Sequence, residues 1–396
     1  MDIGLFISTI LTIAVLSAIV VAANVAEKRR DPRLHRWVMG VLLLMNVMLV
    51  LWYGFLPLVL EPDETDQSTL IGSFALAAVF GVVSTAALFR PLRERLTRVF
   101  HARQMKTRVA RTGGQLTAED GPPGEPVFPQ MLGYYTTTSG AAEPQTVEAT
   151  RDEASMRGFD PRSTVHTVAL VFCVYLLGTQ FLSFVLGGGL EGVAAGFAEG
   201  LTTWDLVLNG LPLLIIPVLG VGWGVRRNLR QTLVRLGLGP LSTRGLGVGV
   251  GMAVALLILV SIVGSTWQLL TPPDTFQEQT QASDALAESV TTIWLALVLA
   301  TSAAISEEIA FRGALQPVFG FWATALIFAL THMQYALTPA TLIILGVAVA
   351  FGWIRMRYNT TVAIVTHFFY NFIPLALNVT VGAEALQWLR SLGFGV

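Results

Sequence analysis

Ten stretches of this sequence are apolar and almost free of charge, and most are long enough to cross a lipid bilayer as a helix. A spanning helix needs about 20 apolar residues, because each residue adds ~1.5 Å and the hydrocarbon layer is ~30 Å thick. Only helices and closed barrels satisfy their backbone in that layer. The pattern therefore predicts an all-α, polytopic transmembrane helix bundle of about ten spans. The stretches are 3–25, 37–60, 69–89, 165–187, 204–225, 245–270, 290–316, 319–334, 339–354 and 360–379.

The composition excludes several classes of protein. Hydrophobic residues make up 53% of the chain and charged residues 13%, about half the charge of an ordinary soluble domain. A formal net charge of −1 provides no basic field to attract nucleic acid. The single cysteine, Cys173, excludes a disulfide framework and a cysteine-rich metal site. The partners predicted are the lipid bilayer and membrane-associated molecules, with no nucleic acid.

The basic residues indicate the orientation in the membrane. With alternating spans, 23 of the 25 Lys and Arg residues fall in loops on one side, and acidic residues occupy the opposite loops. Because cytoplasmic loops are enriched in Lys and Arg, we expect a multi-pass integral membrane protein with both termini outside the cytoplasm. Arg outnumbers Lys by 23 to 2, which indicates a GC-rich, bacterial genome and hence the bacterial inner (cytoplasmic) membrane.

A polar stretch divides the chain into two membrane regions. Residues 113–163 are rich in Gly, Pro and acidic residues, which predicts a flexible cytoplasmic linker. Before it lies a three-span N-terminal region, 1–112, ending in a basic segment that suits a cytoplasmic helix. A seven-span core, 164–380, and a C-terminal tail, 381–396, follow it. The sequence assigns no role to the N-terminal region and leaves the oligomeric state open.

Five ionisable side chains lie well inside the predicted spans, and all belong to the last four. Each costs about 2.5–3.5 kcal/mol to insert, so such groups are functional candidates. We estimate the depth of each side chain in the membrane at ~1.5 Å per residue from the end of its span. At these depths the five side chains can lie in one layer of the bilayer, in a pocket open to the cytoplasmic side. The five are Glu307, Glu308, Arg312, His332 and His367.

Helical spacing predicts different roles for Glu307 and Glu308. Glu308 and Arg312 lie one turn apart with the acid first, the favourable order for a helical ion pair. Glu307 points about 100° away and lacks that partner. It is therefore the candidate general base.

The histidine segments supply further groups for the same chemistry. His367 and Asn371 share a helix face, and an asparagine amide can donate to a developing oxyanion. Phe328 lies one turn before His332 and is expected to pack against its imidazole. A base, two imidazoles and an oxyanion donor together suit the attack of water on an amide.

Three short motifs carry a resemblance to a known family. They read EExxxR at Glu307–Arg312, FxxxH at Phe328–His332 and HxxxN at His367–Asn371. In this order, each on a predicted span, they resemble the motif set of the CPBP family, the CAAX-protease and bacteriocin-processing intramembrane proteases. The resemblance implies a glutamic-type intramembrane endopeptidase. Its substrate would be a membrane protein or a lipidated or membrane-bound peptide, cut near the cytoplasmic face.

The resemblance also implies roles for single residues. Glu307 and His332 would position and deprotonate water, while His367 and Asn371 would stabilise the tetrahedral oxygen. The supporting residues would be Glu308, Arg312 and Phe328. No cofactor is predicted, because the HExxH arrangement of zincins is absent and an oxyanion-binding asparagine suits a metal-free route. A metallo-type enzyme stays open, since Glu307, His332 and His367 are also suitable zinc ligands.

Two other functions compete with proteolysis. Intramembrane acids and histidines also build the proton relays of transporters, but we find no repeat symmetry or paired broken helices of the kind that transporters show. A non-catalytic immunity or binding protein could keep the same fold. Every motif position is intact here, which favours the enzyme.

Overall fold

A computed structural model describes residues 3–60, 66–95, 97, 158–336 and 338–391. Within these ranges the chain is helical apart from turns and one β-bridge between Trp223 and Arg227. Nine of the described helices are long and apolar enough to cross a membrane. The all-α, polytopic bundle predicted from the sequence is confirmed, and the chain is a multi-pass integral membrane protein.

The N-terminal region forms three long helical segments. The second runs from α2 through a π-helical turn, Val50–Phe55, into α3 without a break. The helices are α1 (Ile3–Arg29), α2 (Pro32–Leu49), α3 (Leu56–Leu60) and α4 (Gln67–Ala86).

The remaining helices form the core predicted to carry the site. A π-helical segment, Glu308–Leu315, follows α11, and a single 3₁₀ turn, Met333–Tyr335, follows α13. The helices are α5 (Thr164–Leu186), α6 (Gly189–Ala198), α7 (Thr203–Gly220), α8 (Leu229–Arg235), α9 (Thr243–Leu270), α10 (Pro273–Ser289), α11 (Ile293–Glu307), α12 (Gln316–Phe319), α13 (Phe321–Leu330), α14 (Pro339–Arg357) and α15 (Thr360–Ser391).

The eighth predicted span, 319–334, is not a spanning helix. Gly320, with a φ of 85°, separates α12 from α13, and α13 then has only 10 residues. Ten residues rise about 15 Å, half the thickness of the hydrocarbon layer. Its composition is that of a span, but its length is not, because the chain leaves the helix before His332.

Side-chain caps fix where several helices begin. Asp31 accepts from the backbone N–H groups of Arg33 and Leu34 at the start of α2, and these hydrogen bonds lower the pKa of Asp31. Thr202 and Asp205 form a capping box on α7. Such caps satisfy the free N–H groups of the first turn, so the helices start close to the polar residues that flank each apolar run.

The basic segments meet at one end of the bundle. Glu27, at the end of α1, pairs with Arg226 after α7 at 2.8 Å. At the same end, Arg235 Nη1 donates to the carbonyl oxygen of Gly313 at 3.1 Å, and Thr360 Oγ1 donates to that of Leu236 at 2.6 Å. These contacts bring the ends of α1, α7 and the π-helical segment to the same end of the bundle as the start of α15. Spans that alternate in direction require this arrangement.

Close packing holds the helix that carries His367. At Gly249 on α9, a Cβ would lie 2.6 Å from Cγ1 of Val365 on α15. Only glycine permits this approach, and small residues at helix contacts are the usual way to bring membrane helices together. The position of α15, and of His367 two residues beyond Val365, therefore depends on this contact.

Much of the predicted linker and basic segment lies outside the described residues. Of the segment predicted as a cytoplasmic helix, residues 90–95 are helical. Of the linker, only 158–163 are described, and the Phe159 ring lies 5.9 Å from the His166 ring and 5.7 Å from that of Phe319. The last helix continues beyond the predicted span, to Ser391.

Candidate active site

The two acidic residues lie where α11 changes into a π-helix. Glu307 is the last residue of α11, and Glu308 is the first of the π-helical segment. π-Helical turns are rare and occur frequently at functional sites. The wider turn gives the neighbouring carboxylates different surroundings: Glu308 is fully buried, whereas the side chain of Glu307 is 20% exposed.

Glu308 contacts two partners in the protein interior. Its Oε2 lies 3.3 Å from Arg312 Nε, the ion pair expected from the sequence. Its Oε1 lies 3.0 Å from His367 Nδ1. A carboxylate oxygen can only accept, so the Nδ1–H of His367 donates to it. Nε2 is then the nitrogen of His367 that is left for another group.

Aromatic rings surround the guanidinium of Arg312. Its Cζ lies 4.3 Å from the centre of the Phe328 ring, and the rings of Phe351 and Phe311 lie 5.8 and 6.0 Å away. A cation over an aromatic face is attracted by the ring quadrupole, most strongly when both are desolvated. The rings and Glu308 together stabilise a charge that is only 1% exposed.

His332 follows the end of α13 instead of lying within a helix. Its Nδ1 lies 2.7 Å from the carbonyl oxygen of Phe328. A carbonyl accepts only, so Nδ1 carries the proton and, in the neutral ring, Nε2 has the free lone pair. That Nε2 lies 3.8 Å from Glu307 Oε2, and the His332 side chain is 19% exposed.

Phe328 lies at the centre of the cluster. Its ring centre is 4.4 Å from that of His332, the packing expected from the sequence, and 6.2 Å from that of His367. It also contacts Arg312 and, edge to face, Phe311 at 5.1 Å. One buried ring thus lies near both histidines, and Phe351 stacks on His367 with ring centres 4.7 Å apart.

The structure brings most of the predicted site residues together, but not all by direct contact. Glu307 lies against His332, and Glu308 against both Arg312 and His367. Asn371 lies one turn beyond His367 and is half-buried, and its side chain makes no hydrogen bond within the described ranges. Its amide is therefore available on the face that it shares with His367.

The alternative zinc ligands do not fit a three-ligand metal site. Among the described residues, no three His, Cys, Asp or Glu side chains form a group that could hold a metal ion. Nδ1 of His367 donates to Glu308 and that of His332 to a backbone carbonyl, which leaves Nε2 of each ring as the nitrogen that could bind a metal. Glu307 and His332 face each other without His367.

A comparison with protein families matches this part of the chain. Residues 289–373 match the family model described as Type II CAAX prenyl endopeptidase Rce1-like. This segment is similar to that family. The match fits the predicted resemblance to CPBP proteases, includes all the candidate site residues and supports a membrane-bound hydrolase. No curated protein and no solved structure matched the chain.

The segment that matches the family model contains two features that the sequence analysis missed. The contact of Glu308 with His367 joins residues 59 positions apart, and spacing along the chain gives no signal for it. Tyr335, in the 3₁₀ turn, stacks near His332 with ring centres 6.4 Å apart. Tyr335 belongs to none of the three motifs.

Proposed function

We propose that this protein is an intramembrane endopeptidase that hydrolyses a peptide bond of a membrane-associated protein or peptide. The observation that carries the proposal is the pair Glu307 Oε2 and His332 Nε2, 3.8 Å apart on partly exposed side chains. This distance is too long for a direct hydrogen bond. One water oxygen can lie within hydrogen-bonding distance of both atoms.

The geometry gives the two residues different tasks. The Phe328 carbonyl holds the proton of His332 on Nδ1, so Nε2 accepts a hydrogen bond from the water and orients it. Glu307 accepts the other water proton as the oxygen attacks the substrate carbonyl. The C–N bond then breaks, and the proton on Glu307 passes to the leaving amine. Water is consumed, and no other co-reactant is required.

His367 and Asn371 suit the developing oxyanion. With Nδ1 of His367 donating to Glu308, a second proton on the ring makes Nε2–H a donor, and the Asn371 amide lies one turn away. Donors positioned in advance are worth about 10²–10³ in rate for each group removed in comparable enzymes. Glu308 and Arg312 position His367 and do not touch the substrate.

The charge distribution supports the cytoplasmic side as the working face. The basic segments that meet at one end of the bundle should face the cytoplasm, which leaves the termini outside and fits a bacterial inner membrane. His367 lies seven residues beyond Thr360 at that end, a rise of about 10 Å. A substrate anchored in the membrane can reach the site from the cytoplasmic leaflet.

The test is a comparison of membrane proteomes from cells producing wild type, Glu307→Gln or Glu199→Gln. The control, Glu199, is exposed and lies outside the site. We expect uncleaved membrane proteins to accumulate with Glu307→Gln and not with Glu199→Gln, at equal protein levels. Cleavage unchanged in Glu307→Gln, or ion-dependent uptake into proteoliposomes without hydrolysis, contradicts the proposal.

A further inference from the structure

A long cavity of about 530 Å³ lies between the N-terminal region and the core. Its lining extends along α1 from Thr12 to Glu27 and along α5 from Val165 to Thr179, a rise of roughly 20 Å in each helix. Its volume lies within the usual range for ligand pockets, about 300–1,000 Å³. The cavity therefore has the length and the width for an extended hydrocarbon chain.

This cavity is separate from the candidate active site. Glu307, His332 and His367 do not line it. Phe311 forms part of the wall between the two, since it lines the cavity and packs edge to face on Phe328 at 5.1 Å. A ligand here does not contact the proposed water position.

The walls change in character along the length of the cavity. Most of the lining is apolar, including Leu16, Val168, Phe172 and Ile216. At the end where the basic segments meet, three arginines and two acids line it instead. These are Arg226, Arg227, Arg235, Glu27 and Asp160.

Arg226 connects this polar end to the N-terminal region. Its Nη1 pairs with Glu27 at 2.8 Å, while its Nε is buried without a hydrogen-bond partner among the described atoms. A buried donor of this kind is costly unless an acceptor satisfies it. Among the described lining residues the three arginines outnumber the two acids, so the acceptor that fits the Nε of Arg226 is an anion.

We propose that the cavity binds an anionic phospholipid, with an acyl chain between α1 and α5 and its phosphate against the arginines. The polar end lies at the face that we assign to the cytoplasm, where anionic lipids are concentrated. The N-terminal region would then have a defined role, because it supplies one wall of the cavity and, through Glu27, part of the head-group end.

The test uses the full-length protein in detergent and native mass spectrometry with added phosphatidylglycerol, phosphatidylcholine or inorganic phosphate. We expect one phosphatidylglycerol to be held about tenfold more tightly than phosphatidylcholine, as charge-assisted hydrogen bonds predict, and no comparable binding of phosphate alone. Equal binding of the two lipids overturns the proposal. Phosphate binding as tight as that of phosphatidylglycerol assigns the arginines to a free anion and overturns it as well.

Two matched pairs of variants locate the lipid. Ala169→Phe fills the cavity and should abolish the bound phosphatidylglycerol, whereas Ala75→Phe, on an exposed face of α4, should not. Arg226→Gln should weaken binding about tenfold, whereas Arg230→Gln, at an exposed position that does not line the cavity, should retain the lipid. Equal binding by Ala169→Phe and Ala75→Phe refutes the assignment.

The lipid test is independent of the test of proteolysis, because Glu307→Gln should bind lipid as wild type does.

Discussion

Glu308 Oε1 lies 3.0 Å from His367 Nδ1, and both side chains are buried. The other oxygen of the same carboxylate lies 3.3 Å from Arg312 Nε. One carboxylate thus joins the first motif to the third and holds an arginine and an imidazole in place. Glu307, next in the chain, faces the second motif instead. Glu308 therefore positions Arg312 and His367, whereas Glu307 takes part in the proposed chemistry.

Replacing each glutamate by glutamine should therefore have different effects: the change at Glu308 lowers stability, and the change at Glu307 removes cleavage. Glu308→Gln leaves the buried charge of Arg312 without its counter-ion, so we expect the free energy of unfolding to fall by about 3–5 kcal/mol. Glu307→Gln disturbs no hydrogen bond or close ion pair and should change it by less than about 1 kcal/mol, while removing cleavage. Thermal and denaturant unfolding in detergent measure the difference.

A double substitution is the control for that prediction. Replacing Glu308 and Arg312 together by methionine removes both charges, so it should cost less stability than Glu308→Gln alone. Equal destabilisation by Glu307→Gln and Glu308→Gln would contradict the assignment of Glu308 to the ion pair.

A substitution at His332 can separate the packing of its ring from its proposed role in the reaction. His332→Phe keeps an aromatic ring against Phe328 but loses Nε2, so we expect kcat to fall about 10²–10⁴-fold with a stability change of only about 1 kcal/mol. The control is Thr331→Val, because Thr331 Oγ1 donates to the same Phe328 carbonyl at 2.8 Å without facing Glu307. A kcat near that of wild type in His332→Phe would exclude His332 from the reaction.

The proposed route predicts resistance to chelation. Since no three His, Cys, Asp or Glu side chains of the described residues form a group that could hold a metal ion, we expect purified protein dialysed against a strong chelator to cleave at the original rate. The measurement is peptide hydrolysis before dialysis, after it, and after zinc is restored. Loss of activity that zinc recovers would identify the enzyme as the metallo-type.

The orientation predicts which surface residues react from outside the cell. In a Cys173→Ala background, Glu278→Cys on α10 should react with a membrane-impermeant maleimide in intact cells. Arg230→Cys on α8 should react only after the membrane is opened. Both positions are exposed, so accessibility within the fold does not limit labelling. The reverse pattern would place the basic segments outside.

The sequence alone was sufficient for the class of fold and for proposing the candidate residues, whose roles stay a prediction. A span is recognised by the length and polarity of one continuous segment, and an ion pair such as Glu308–Arg312 by spacing within one turn. Both depend on neighbours along the chain. The same local rule failed at 319–334, because composition does not reveal that Gly320 begins a new helix and that the chain leaves it before His332.

The tertiary structure decided which groups face each other. The pairing of Glu308 with His367, the position of Phe328 near both histidines and the cavity behind Phe311 all join segments that are distant in sequence. The strength of these contacts depends on distances of a few ångströms between helices. Side-chain packing sets such distances, for example at Gly249 against Val365, and no pattern within a single segment encodes them.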